Sequence, residues 1–138
     1  MVKSNYYSNQ DLFIAKEFHE GLQNYITRKE TKDLPFARQI DAWWLALCIG
    51  VKIKYRTPLP ENKVKFNDGS ILDTDPWRLT HLELIALSEE DEKILDDPKQ
   101  VIRIANEYAN TGFEWITNKI VGDPDSSLTL LHSINEFL

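Results

Sequence analysis

The chain has 138 residues, a formal net charge of −6 and a hydrophobic content of 42%. This length and composition predict one folded domain and argue against disorder. The negative charge argues against nucleic-acid binding by the whole surface. The single cysteine, Cys48, rules out an internal disulfide and favours a reducing compartment, so we expect a cytoplasmic protein. We expect neither a signal peptide nor a membrane span, because no apolar run approaches the roughly 20 residues that a bilayer requires.

The N-terminal half contains two apolar patterns with helical spacing. The first predicts an amphipathic helix at 9–30, and the second predicts a helix at 36–50. The second helix is apolar on nearly all sides, so we expect it to be central and to bury Cys48 in the core. Gly50 is a suitable cap for its C-terminus, and Pro58 prevents the helix from resuming.

The following segment contains a turn signal and two helix starts. Asn67-Asp68-Gly69 is typical of a tight turn and predicts a short β-hairpin at 63–72. Two further helices are predicted, at 76–90 and 98–121, and each begins with an Asp-Pro pair. In each pair the aspartate is placed to cap the helix N-terminus and the proline occupies the first helical position. Gly112 within the second of these helices indicates a kink or a close helix contact.

These elements predict a mainly α fold, a single compact bundle of about four to five helices with a small β-hairpin. We expect 1–122 to form this helical domain. An apolar segment follows a polar linker, and we interpret 123–138 as a C-terminal docking tail that contacts this domain or a partner protein. The tail residues expected to form a protein interface are Leu128, Leu131, Ile134 and Phe137.

A concentration of cations follows the second helix and is the main candidate binding site. Its members are Lys52, Lys54, Arg56, Lys63 and Lys65. If 52–56 is extended, its three cations alternate with apolar residues and face one side, where they can meet DNA phosphates or an acidic protein surface. The alternative is a solvated loop whose cations pair with the acidic run at 89–97.

The titratable residues do not predict a reaction centre. His19, His81 and His132 lie on separate predicted helices, without the spacing of a metal site. One group at a helix start is a candidate catalytic cluster: Asp73, Asp75, His81 and Glu83. Its carboxylates lack an arrangement that holds a divalent cation, so we predict a protein that is not an enzyme, with no catalytic, cofactor or metal site.

Several segments of distinctive sequence follow one another from the second predicted helix onward. They include Ala46-Leu-Cys-Ile-Gly50, Lys52-Ile-Lys-Tyr-Arg56, Leu84-Ile-Ala-Leu87 and Ile104-Ala-Asn-Glu-Tyr-Ala-Asn-Thr-Gly-Phe-Glu-Trp115. In this order, over about 36–119, they resemble the family called Dnd-system-associated protein 4, which is encoded beside bacterial DNA phosphorothioation and restriction genes.

The resemblance implies a non-catalytic accessory subunit of a bacterial antiphage defence or DNA modification-restriction complex. Its expected partners are protein subunits encoded in the same operon and possibly DNA, with no cofactor, small-molecule substrate or membrane. The alternative is a scaffold that bridges ATPase or nuclease components of another multi-component defence system. Fold-level analogy alone does not decide between them.

Overall fold

The computed structural model describes residues 6–26 and 35–137. These residues are mainly helical and include a two-stranded antiparallel sheet, which confirms the predicted fold class. The α-helices are α1 (Lys16–Leu22), α2 (Gln39–Ile53), α3 (Pro76–Glu89), α4 (Pro98–Ile120) and α5 (Ser126–Phe137). The strands are β1 (Asp11–Ala15) and β2 (Lys63–Asp68), and short 3-10 helices span Gln23–Tyr25, Gly69–Thr74 and Glu92–Asp96.

The N-terminal helix predicted at 9–30 is wrong in its first part. Residues Asp11–Ala15 form β1, and helix begins only at Lys16. Leu12 and Ile14 are buried on one side of β1, an alternation typical of a half-buried strand. The backbone of β1 forms hydrogen bonds with β2. A distant segment therefore supplies the backbone hydrogen bonds that a helix would form within itself. The predicted helix end at 27–30 lies outside the described residues.

The small sheet joins segments far apart in sequence. β1 and β2 are antiparallel, with Asp11 opposite Asp68 and Ala15 opposite Lys63. The hairpin expected at 63–72 is therefore placed incorrectly, because its second arm lies in a 3-10 helix. Asp68 caps this 3-10 helix by accepting a 3.0 Å hydrogen bond from the Ser70 amide, and the cap ends the strand.

Helices α2 and α4 form the centre of the core and touch through their backbones. A Cβ added at Gly50 would lie 1.9 Å from the carbonyl oxygen of Tyr108, and one at Gly112 would lie 1.8 Å from that of Ala46. Two glycines, one on each helix, thus permit the close approach. This confirms the predicted close helix contact at Gly112, within a helix that runs unbroken over Pro98–Ile120.

The prediction that Cys48 is a core residue is wrong. The residue is exposed, whereas its neighbours Leu47 and Ile49 are buried. Because α2 is apolar on nearly all sides, its composition did not reveal which side faces α4. Nearby side chains still desolvate the thiol and raise its pKa, so the neutral thiol is favoured over the reactive thiolate.

Candidate functional site

The first two predicted cations stand at the end of α2. Lys52 lies in the last turn of the helix, and Lys54 caps it in the left-handed conformation, with φ 66°. The segment 52–56 therefore lacks the extended conformation that would place its three cations on one side. Lys52 and Lys54 are exposed, and neither forms an ion pair with any residue in the described ranges.

Arg56 has a different environment because the loop after α2 is docked on α4. Its guanidinium Nε lies 3.4 Å from a carboxylate oxygen of Glu89 and 3.6 Å from one of Glu107. The Thr57 amide donates to the Glu107 carbonyl at 3.1 Å, and Thr111 donates its hydroxyl to the Tyr55 carbonyl at 2.8 Å. For Arg56, the alternative of pairing with acidic neighbours is therefore the one the structure shows.

Lys63 and Lys65 lie on the exposed side of β2, two residues apart. The ammonium of Lys65 is 3.2 Å from the carboxylate of Asp11 on the neighbouring strand. The ammonium of Lys63 lies 5.3 Å from the centre of the Phe13 ring. The five predicted cations thus occupy the end of α2, the loop and β2.

The sequence did not reveal a cleft that Lys63 shares with α4. This cleft has a volume of about 340 Å³ and brings Lys63 together with Lys99 and Arg103. Phe13 lines the same cleft, as do the amide side chains of Asn9 and Gln10. The spacing of Lys99 and Arg103 predicts one helix face, but it carries no information about the strand that faces them.

A second group surrounds a buried arginine at the start of α3. Arg78 is only 6% exposed, and its guanidinium carbon lies 5.3 Å from the Trp44 ring centre and 5.0 Å from that of Trp77. Its Nη2 is 3.3 Å from Asp41 and its Nη1 is 3.7 Å from Asp75. The two carboxylates compensate its charge, while its Nε and Nη1 have no hydrogen-bond partner among the described residues.

The residues weighed as a catalytic cluster have separate structural partners. Asp75 pairs with Arg78, and His81 packs against the rings of Trp44 and Trp77. Glu83 accepts a 2.8 Å hydrogen bond from the Tyr7 hydroxyl. Burial, and then this hydrogen bond, raises the pKa of Tyr7. Within 6–26 and 35–137, no group of three His, Cys, Asp or Glu side chains is placed to hold a metal ion.

The four predicted interface residues of the tail divide into two pairs on α5. Leu128 and Leu131 are 57% and 64% exposed. Ile134 and Phe137 are partly buried against the core, and the Phe137 ring centre lies 5.1 Å from that of Trp115. Half of the predicted interface residues thus attach α5 to its own domain.

These observations define a small, mainly α domain with exposed lysines and a cationic cleft. The model of the family described as DNA sulphur modification system-associated protein 4 matches residues 13–137, so the chain belongs to that family. This confirms the resemblance and extends it from 36–119 to nearly all of the chain. The family description associates the chain with a DNA sulphur modification system.

Neither the curated proteins nor the solved structures include a match to the chain. In the part of the chain that the structure describes, no helix has the length and apolar character needed to cross a membrane.

Proposed function

We propose that the chain is a non-catalytic accessory subunit of a bacterial antiphage defence complex linked to DNA sulphur modification, and that it contacts DNA through lysines. One observation carries this proposal. Lys52 and Lys54 are exposed without an ion pair among the described residues, whereas Arg56 is held by two carboxylates. Cations that are not neutralised within the protein are available to phosphates.

The lysines of β2 extend the proposed contact surface. Lys63 and Lys65 project from the exposed side of the strand, and of these two only Lys65 has a carboxylate partner among the described residues, at 3.2 Å. A phosphate contact releases counterions, so the logarithm of the binding constant falls by about 0.9 per neutralised phosphate for each tenfold rise in salt. This salt dependence distinguishes phosphate contact from apolar association.

The test is a double charge reversal, Lys52→Glu with Lys54→Glu, in the purified complex. We expect duplex DNA retention at low salt to fall at least tenfold and its salt dependence to weaken. The matched control, Lys93→Glu with Lys119→Glu, makes the same change in net charge elsewhere and should retain DNA. If the two double variants retain DNA equally, Lys52 and Lys54 are not the contact.

The second candidate function is a scaffold that bridges protein subunits. Leu128 and Leu131 favour it, because they are exposed and lie three residues apart on one side of α5. The substitutions Leu128→Glu and Leu131→Glu make this apolar surface charged, and they should abolish co-purification with the proteins of neighbouring genes. Leu84, 56% exposed on α3, provides the control Leu84→Glu. Normal co-purification of the α5 variant would exclude this surface.

A further inference from the structure

The cleft between the sheet and α4 combines positive charge with an aromatic wall. Lys63 contributes from β2, and Lys99 and Arg103 contribute from successive turns of α4. Phe13 and Ile102 provide apolar surface in the same cleft. In an acidic chain, three cations around one concave site point to an anionic ligand.

Internal pairing leaves much of this charge available. Neither Lys63 nor Lys99 forms an ion pair with a residue in the described part of the chain. Arg103 directs Nε to Glu107 at 3.3 Å and Nη1 to Gln100 at 2.8 Å, and no bond to a described residue engages its Nη2. Asp11, the carboxylate that lines the cleft, is itself paired with Lys65 at 3.2 Å.

We propose that this cleft binds one nucleotide of a single DNA strand, with its phosphate at Lys63, Lys99 and Arg103 and its base against Phe13. The Lys63 ammonium lies over the Phe13 ring, 5.3 Å from its centre, so one nucleotide reaches both groups, with its base taking the place of the ammonium on the ring. The inference rests on the proposed contact with DNA and adds a second site, which shares Lys63 with the proposed contact surface.

The shape of the cleft favours a strand over a duplex or an acidic peptide. Its volume of about 340 Å³ is at the lower end of the range for small-ligand sites, about 300–1,000 Å³. A site of that volume suits one nucleotide better than the paired bases of a duplex. The Phe13 ring supplies a stacking surface that every base can use, whereas an acidic side chain gains nothing from it.

The test measures fluorescence anisotropy of labelled oligo(dT) and of a duplex of equal length. The cleft variant is Lys99→Glu with Arg103→Glu, the ring variant is Phe13→Leu, and the control is Lys93→Glu with Lys119→Glu. We expect the cleft variant to weaken oligo(dT) binding at least tenfold and to reduce the salt dependence by about 0.7, the contribution of the one single-strand phosphate that the cleft holds. Phe13→Leu should weaken oligo(dT) about 5-fold or more.

The outcomes separate this inference from the proposed function. If the wild type binds duplex through Lys52 and Lys54 but the cleft and ring variants bind oligo(dT) normally, the cleft inference fails and the proposed function stands. If the Lys52 and Lys54 variant binds duplex DNA normally while the cleft and ring variants lose oligo(dT) binding, the proposed contact at Lys52 and Lys54 fails and the cleft inference stands. If the control variant weakens oligo(dT) binding as much as the cleft variant does, the net charge of the protein alone determines binding, and the inference is overturned.

A competition arm identifies the source of the nucleotide. The competitors are thymidine monophosphate and, as a control, inorganic phosphate, each at millimolar concentration. If the nucleotide displaces labelled oligo(dT) from the wild-type protein and inorganic phosphate does not, a free nucleotide is sufficient for binding. If unlabelled oligo(dT) displaces the labelled strand and neither thymidine monophosphate nor inorganic phosphate does, the site is assigned to a DNA strand. Displacement by inorganic phosphate as effective as that by the nucleotide would remove the role of Phe13 and overturn the inference.

Discussion

The contact between α2 and α4 gives a sharp test of the fold through the substitution Gly112→Ala. In a helix, alanine is favoured over glycine by about 1 kcal/mol, so propensity alone predicts stabilisation. The structure predicts the opposite, because the new Cβ would lie 1.8 Å from the carbonyl oxygen, 2.4 Å from the carbonyl carbon and 2.6 Å from the Cα of Ala46. These are backbone atoms, which cannot rotate away as a side chain can.

The cost follows from the separation that the new methyl group requires. Since nonbonded heavy atoms normally approach to about 3.5 Å, the helices must move apart by roughly 1.5 Å. Overpacking of this kind costs about 3 kcal/mol or more, so we expect a net loss near 2 kcal/mol after the propensity gain. The melting temperature should fall on the order of 6–10 °C.

The control is the same substitution where the chain has room. Among the described residues, a Cβ at Gly21, in α1, would meet only the Cγ2 of Val121, at 3.8 Å. Gly21→Ala should therefore leave stability unchanged or raise it by up to about 1 kcal/mol. Urea denaturation of both variants, with unchanged slopes, measures the difference. A Gly112→Ala protein as stable as Gly21→Ala would refute the backbone contact between α2 and α4.

Two further predictions concern buried polar groups. Asn106→Ala should lower the free energy of unfolding by about 3 kcal/mol in urea, because the lost carbonyl accepts from the Phe13 amide at 3.0 Å and from the Trp43 indole at 3.3 Å. Burial, and then the hydrogen bond to Glu89, raises the pKa of Tyr108 from its ordinary 10.0 to about 12. The unfolded chain therefore loses this proton first, so the stability is complete below pH 10 and is lost as the pH rises towards 12. Denaturation of wild type and Tyr108→Phe across this range should show the wild type losing more stability; parallel curves would contradict the assignment.

The elements that the sequence predicted well are those with local signals. The Asp-Pro starts predict helices at 76–90 and 98–121, and the structure has Pro76–Glu89 and Pro98–Ile120. Asp97 makes the expected cap by accepting from the Gln100 amide at 3.2 Å. Asp75 makes no such bond and instead pairs with Arg78, which only the tertiary structure reveals.

The errors arise where distant segments decide the structure. The apolar spacing around Leu12 is compatible with a helix, but β2 supplies a strand partner more than forty residues away. The cationic cleft has the same origin, because Lys63 and Lys99 meet only after β1 pairs with β2 and packs on α4. A linear pattern therefore grouped Lys63 with Lys52 and Lys54, whereas the fold groups it with residues of α4.

The distribution of ion pairs in this acidic protein is consistent with the proposed DNA contact. Among the described residues, every arginine is in an ion pair, at positions 38, 56, 78 and 103, whereas Lys65 is the one lysine so engaged. The planar guanidinium suits fixed pairs with carboxylates, and the flexible, hydrated ammonium suits contacts that form and break. Lysines supply compact point charges for phosphates and lack the rigid, planar donor fork of arginine. The proposed DNA contact is therefore a contact with the phosphate backbone, which carries no sequence information directly.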